Sequence, residues 1–219
     1  MTAHPDPSPS VAGGFHPGVS PGARSTAYPG AASGGLGERI RPSSLSLRNR
    51  LGRALWGVVW LLLFRPSPKV CHGWRRFLLR LFGARLGRGA IIHASVRIFA
   101  PWNLEMGEHA SLSHFVDCYC VDRISLGAYA TVSQYSFLCS ASHDFRQFQM
   151  PLITKPVEIG PLAWVAADVF VAPGVRIGEG AMVQARSTVL EDVADWTIVG
   201  GHPVRTIAKR VMVGAIPTW

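Results

Sequence analysis

One histidine stands where a proton-transfer step would need it. His143 stands at the last position of its repeat, within CSASHDF, and the residues after it interrupt a repeat that runs on either side. Imidazole is the side chain whose ordinary titration lies nearest neutrality. A partly exposed one suits the removal of a proton from a hydroxyl while that oxygen attacks an acyl carbon. Asp144 follows directly and is a candidate to orient the imidazole or to meet an acceptor. Neighbours on an extended chain point to opposite faces, so a contact between the two requires a turn. Asp117 and Asp122, upstream, are further candidates to reach an acceptor, against their use as bend residues. Cys139 is close to His143, but LCSAS offers no basic group to activate its thiol, so it reads as a core residue.

The element that must position His143 has a period of six. From Ile159 to Ala194 the chain reads IGPLAW, VAADVF, VAPGVR, IGEGAM, VQARST, VLEDVA. Each block begins with Ile or Val, and its fifth residue is Ala, Val or Ser. Neither a helix nor two-fold strand alternation has this period. A solenoid does, with one short strand and a bend per hexapeptide and three hexapeptides per triangular coil. The aliphatic residue then points inward and the small one fits a crowded position by the bend. Upstream the period continues from Leu86 through IHASVR and IFAPWN, then, after slips, from Met106 and from Leu126 to His143. The stretch 144–156 lacks it and carries Phe145, Phe148 and Met150, as an excursion that bears specificity would.

With 219 residues, 48% of them hydrophobic, the chain can bury one full core. Residues 1–42, rich in Gly, Pro and Ser, read as a disordered tail without a secretory pattern. A prelude follows over 43–85, then the solenoid over 86–204 with its loop 144–156, and a tail over 205–219. Cys71, Cys118, Cys120 and Cys139 match neither a zinc pair nor a disulfide scaffold. Cys118 and Cys139 fall on inward positions as buried free thiols, and a cytoplasmic location is expected. Residues 1–90 hold 13 Lys+Arg against Asp6 and Glu38, a balance of +11, and the remainder carries 9 against 11, or −2. The basic residues interleave with apolar ones and form no nucleic-acid motif, so nucleic acid is not an expected partner.

The prelude contains two helical patterns. Leu45 to Phe64 runs into ALWGVVWLLLF, an apolar stretch shorter than the ~20 residues that span a bilayer. In the second, Trp74, Phe77, Leu78, Leu81 and Phe82 share one face, with Arg75, Arg76 and Arg80 away from it. Two readings stand, and both can hold together. The helices cap the open end of the solenoid, whose first coil would otherwise expose unpaired strand edges. Alternatively, Trp and Leu enter lipid while Arg meets anionic headgroups.

His143 and its loop, followed by PVEIGPLAW and VFVAPGVRIGEG, resemble the galactoside, maltose and other sugar O-acetyltransferases. A narrower resemblance covers about Arg53 to Arg210, on LLLFRPSPKVCHGWRRFLLRLFGARLG, VDRISLGAYATVSQ, LCSASHD and PLITKPVEIG. These segments look like the colanic acid biosynthesis acetyltransferase group, whose members are thought to acetylate sugars of exopolysaccharide units. The resemblance implies a mainly β fold, a left-handed parallel β-helix with N-terminal helices. It implies acetyl-CoA as co-substrate, no metal, a sugar or lipid-linked oligosaccharide acceptor, and a homotrimer whose subunits close each other's sites. It places the catalytic base on His143, the coenzyme A groove along the backbone of Ala167 and Ala185, Trp164 at its flank and Arg205 near a phosphate. Asp117 and Asp144, by their positions in the chain and not by the resemblance, are the candidates for contact with the acceptor. Where relatives carry a Thr–Lys pair this chain has Leu190–Glu191, and another basic position falls on Ala208, beside Lys209. Two rivals share the solenoid. One is a metal hydratase using three histidines, for which His93, His109 and His114 are the available set. The other is a trimeric scaffold without chemistry.

Overall fold

In the computed structural model, which describes residues 45–213, the hexapeptide phase becomes the axis of the core. The expected tail over 1–42 lies outside those residues, as do residues 214–219. Leu86, Met106, Leu126, Ile159 and Ile177 stack in register along one face of a three-sided prism. That first face is built from Arg85–Leu86, Leu104–Met106, Ile124–Leu126, Val157–Ile159 and Arg176–Ile177. The second runs from Ile91–Ile92 through Ser111–Leu112, Thr131–Val132, Trp164–Val165 and Met182–Val183 to Thr197–Gly201. The third holds Arg97–Ile98, Asp117–Tyr119, Phe137–Cys139, Phe170–Val171 and Thr188–Val189. Pairing between coils is parallel throughout. Ile159, Val165, Val171, Ile177, Val183 and Val189 are all buried, each stabilising by about 1.5–3 kcal/mol.

The coils touch too closely at one corner for any side chain. A Cβ on Gly107 would lie 2.6 Å from the Ala128 nitrogen of the next coil, which explains glycine at that phase. The first slip of the repeat is a 3-10 turn, Pro101–Asn103. The Asn103 amide ties it to the second slip by donating to the carbonyls of Cys120 (3.1 Å) and Val121 (2.7 Å). Cys118, Cys120 and Cys139 are buried free thiols, and Cys139 donates to the Ala141 carbonyl.

The N-terminal end shows how a solenoid can be closed. In the second coil the carbonyls of Met106, Ala110, Leu112, Val116 and Cys118 accept amides of the first coil. The matching carbonyls of the first coil have no coil before them, and side chains supply the donors instead. Arg80 serves Leu86, Arg76 serves Ala90, Arg75 serves Ile92, Trp60 serves Val96 and Trp56 serves Ile98, at 2.7–2.9 Å. Buried backbone acceptors require partners, and here five side-chain donors meet the five edge carbonyls, four of which belong to buried residues.

The donors come from helix α1, Leu47–Val59, which Ser46 caps and which continues as a π turn over Trp60–Phe64, and from α2, His72–Leu81. The expected apolar face of α2 is corrected by this arrangement. Leu78 is buried and Phe82 half-buried, but Trp74, Phe77 and Leu81 face outward while Arg75 is fully buried. The edge carbonyls demand donors, and that demand outweighs apolar area. The C-terminal boundary also differs from expectation, because Val204–Lys209 folds back antiparallel on Thr197–Gly201 rather than trailing as a tail. Arg210 then locks this end through the carbonyls of Leu162, Gly180 and Ala181.

Candidate active site

The excursion leaves the corner between the third and first faces as a hairpin. Ala141–His143 pairs antiparallel with Leu152–Thr154, placing His143 opposite Leu152. The tip is held by hydrogen bonds from the Met150 amide to the Gln147 carbonyl and from the Asp144 amide to the Pro151 carbonyl. Met150 sits at φ 44°, a left-handed conformation that non-glycine residues seldom take. Its carbonyl lies 2.7 Å from Nδ1 of the exposed His143. A carbonyl only accepts, so Nδ1 carries a hydrogen, and in the neutral ring the lone pair then belongs to Nε2. The imidazole is thereby fixed in the tautomer a general base needs.

Asp144 does not orient it. Its carboxylate accepts from the Arg146 amide (3.2 Å), Arg146 Nε (3.0 Å) and Gln147 Nε2 (2.9 Å). The Arg146 bond and then the Gln147 bond hold its carboxyl below the usual range. Asp144 therefore staples the loop that carries Met150. Asp117 lies on the outer surface of the third face, 3.6 Å from Arg97. It lines a cavity of about 520 Å3 with Arg53, Trp60, Phe99 and Tyr119. Burial pushes its carboxyl up, and Arg97 opposes the shift. Asp122 belongs to the corner backbone, accepting from the Arg123 amide at 2.7 Å while its own amide donates to Ser140 Oγ at 2.9 Å.

Trp164, Ala167 and Ala185 come together at the corner between the second and third faces, with Met182 and Gln184, around a groove of about 630 Å3. The Trp164 indole donates to Ser133 Oγ (3.0 Å), which holds the ring along the wall. Small side chains at Ala167 and Ala185 leave the backbone open to a flat or extended ligand. Exposed Arg205 pairs across the last hairpin with Gly200, at the end of the second face, where the guanidinium donates to the Val204 carbonyl. Lys209 lies at the other end of that hairpin, opposite Thr197. Leu190 and Glu191 are exposed beyond the last strand of the third face.

The groove and His143 occupy opposite edges of the third face. The chain enters that face past the Ala167 and Ala185 corner and leaves it toward His143. One chain therefore assembles the groove and presents His143, but does not bring them together. The histidines of the hydratase reading separate as well. His93 packs on His114 with ring centroids 4.0 Å apart, whereas His109 stacks on Tyr129 at another corner. Among the described residues no group of His, Cys, Asp and Glu has the arrangement of a metal site. Met150 as partner of His143 was invisible in the sequence, because a carbonyl leaves no residue-type signal. The hairpin could have been suspected from two extended segments, SASH and LITK, on either side of a polar stretch.

No protein-family model matches the chain. A protein of Escherichia coli (strain K12) named for colanic acid biosynthesis acetyltransferase WcaF is 41% identical over 163 residues, 74% of this chain and 90% of that one. A maltose O-acetyltransferase structure from Clostridium difficile 630 superimposes with a TM-score of 0.70 at 22% identity, covering 76% of this chain and 90% of its own. The hexapeptide-repeat acetyltransferase VCA0836 of Vibrio cholerae, complexed with acetyl coenzyme A, gives a TM-score of 0.68 at 24% identity, covering 76% and 91%. The two structures establish the fold as the left-handed parallel β-helix. With a WcaF relative matched over nearly its whole length, the chain belongs to the colanic acid biosynthesis acetyltransferase family of hexapeptide-repeat enzymes.

Proposed function

We propose that the protein transfers acetyl from acetyl-CoA directly to a sugar hydroxyl during exopolysaccharide assembly, with His143 as general base. The observation that carries this reading is the bond between His143 Nδ1 and the Met150 carbonyl, which leaves Nε2 as the proton acceptor. As the acceptor oxygen bonds to the thioester carbon, its proton passes to Nε2. The C–S bond then breaks, and the imidazolium returns the proton to the departing coenzyme A thiolate. The Met150 carbonyl stabilises the imidazolium in between. Pantetheine would lie along Ala167 and Ala185 beside Trp164, with Arg205 toward a phosphate. Acetyl-CoA is the substrate bound to the neighbouring VCA0836 structure, and WcaF is named for colanic acid.

The separation of His143 from the groove favours a homotrimer in which one subunit's hairpin reaches its neighbour's groove. The exposed Phe145 and Phe148 on that hairpin are the apolar contacts such docking would cover. Acceptors on this reading are nucleotide-linked, lipid-linked or polymeric sugars, handled on the cytoplasmic side. Acetyl-CoA turnover by His143→Ala is the direct test. The expected loss in kcat is at least about 100-fold, the lower end of general-base assistance, with coenzyme A affinity within about twofold. Turnover near that of the unmodified protein would remove His143 from the reaction. A stable, fully active monomer in sedimentation would reject the shared site. Mass spectrometry of polysaccharide from a strain lacking the gene identifies the acetylated sugar.

A further inference from the structure

We propose that the outer surface of the N-terminal cap seats the protein on an anionic lipid surface. The inner side of the cap is fully engaged, because Trp56, Trp60, Arg75 and Arg76 are bound to first-coil carbonyls. The outer side is apolar and bare. Leu47, Leu51, Leu55, Val58 and Leu62 follow at i, i+4, i+8, i+11 and i+15 along α1 and its π turn, each 55% to 73% exposed. Phe77 and Leu81 of α2 are equally open. Beside them the Trp74 indole stacks on Phe77 and donates to the Leu63 carbonyl, so its polar end is satisfied while the ring stays outside. A patch of this kind on a soluble surface marks a contact.

Charge selects the partner. Residues 45–83 contain eight Lys and Arg, and no Asp or Glu occurs between 45 and Glu105. Arg75 and Arg76 are consumed by the cap, while Arg48, Arg50, Arg65 and Lys69 are exposed around the apolar stripe. Pairing this face with a second copy would set like charges together, with no carboxylate in the face to neutralise them. Anionic headgroups satisfy the rim while acyl chains take the Leu and Phe side chains. Among the described residues no helix is long and apolar enough to cross a membrane, so the cap would lie on the surface. The inference does not depend on the acyl-transfer reading.

The test is flotation of the full-length protein with phosphatidylglycerol–phosphatidylcholine vesicles and with phosphatidylcholine alone. Binding is expected on the anionic vesicles at low salt. It should fall at least about tenfold on neutral ones or when salt shortens the Debye length to a few ångströms. The triple variant Leu51→Ser, Leu55→Ser, Phe77→Ser should lose at least about tenfold in vesicle binding with unchanged melting and unchanged turnover on a water-soluble acceptor. If that variant loses its near-UV signal, the charge variant Arg48→Gln, Arg50→Gln, Lys69→Gln carries the test, with a loss again of about tenfold or more. Full-length protein that stays in the supernatant with anionic vesicles overturns the proposal, as do variants that float as well as the parent. A triple variant that dissociates into smaller species, while neither form floats, assigns the face to a second copy instead.

Discussion

Replacing Arg75 by methionine tests whether the solenoid is closed by side-chain donors. The guanidinium donates through Nε to the Ile92 carbonyl (2.7 Å), through Nη1 to Ser67 Oγ (2.9 Å) and the Pro68 carbonyl (2.8 Å), and through Nη2 to the Lys69 carbonyl (2.8 Å). Methionine keeps most of the apolar stem and removes every donor. The Ile92 carbonyl belongs to a fully buried residue, and an acceptor stranded there costs about 1–3 kcal/mol. Pro68 and Lys69 are exposed, so water takes over at their carbonyls for several tenths each. One gain opposes these losses. Burial depresses the Arg75 pKa, and no carboxylate pairs with it, so removing the charge returns part of a desolvation cost.

The balance is a destabilisation of about 1–3 kcal/mol, or roughly 2–12 °C in Tm for a chain of this length. Thermal and urea unfolding by circular dichroism measure the total. Hydrogen exchange locates it, because a solenoid frays coil by coil and protection should fall over residues 86–99 before the later coils. Arg80 is exposed, and Arg80→Met should cost under about 1 kcal/mol even though it also serves an edge carbonyl. An Arg75→Met variant within about 0.5 kcal/mol of the parent, or an even loss of protection across all coils, would refute the capping argument.

Acid should weaken the same end of the molecule. Burial, then Arg75, lowers the His72 pKa, and burial, then His114, lowers that of His93. Between those depressed values and the ordinary 6.5 the unfolded chain binds more protons, so stability falls as pH drops through that window. Tm should decline from pH 7.5 toward 5, and His72→Gln with His93→Gln should flatten the slope; an unchanged slope rejects the assignment. Asp144→Asn should lower kcat by less than about tenfold and leave the pH profile's acid limb in place, because Asp144 holds the loop and not the imidazole. A shifted limb would show that it faces the base after all. Two glycines should respond with opposite sign in melting experiments. Gly107→Ala forces a Cβ to within 2.6 Å of backbone and should cost about 3 kcal/mol or prevent folding. Gly57→Ala, on α1 with no atom within 4 Å, should stabilise by about 0.4–1 kcal/mol.

The solenoid and its inward column were legible in the chain, whereas the excursion leaves the coil at Ala141, two residues before His143. Each hexapeptide repeats the same inward aliphatic, so a one-dimensional period maps directly onto the core from Ile92 to Val189. The excursion was legible as a break in that period. Its hairpin and the pinning of His143 by Met150 were not, since both depend on backbone groups that carry no residue identity. The orientation of α2 went against helical amphipathicity for a related reason. Five unpaired carbonyls at the first coil set which side of the helices must face inward, and they exist only once the coils have formed. Sequence by itself determined which residues line the prism, because that pattern is local and repeated. Tertiary structure decided which arginines are buried, which leucines are left outside and which atom holds the histidine, because those are contacts between distant segments that must satisfy backbone hydrogen bonds first.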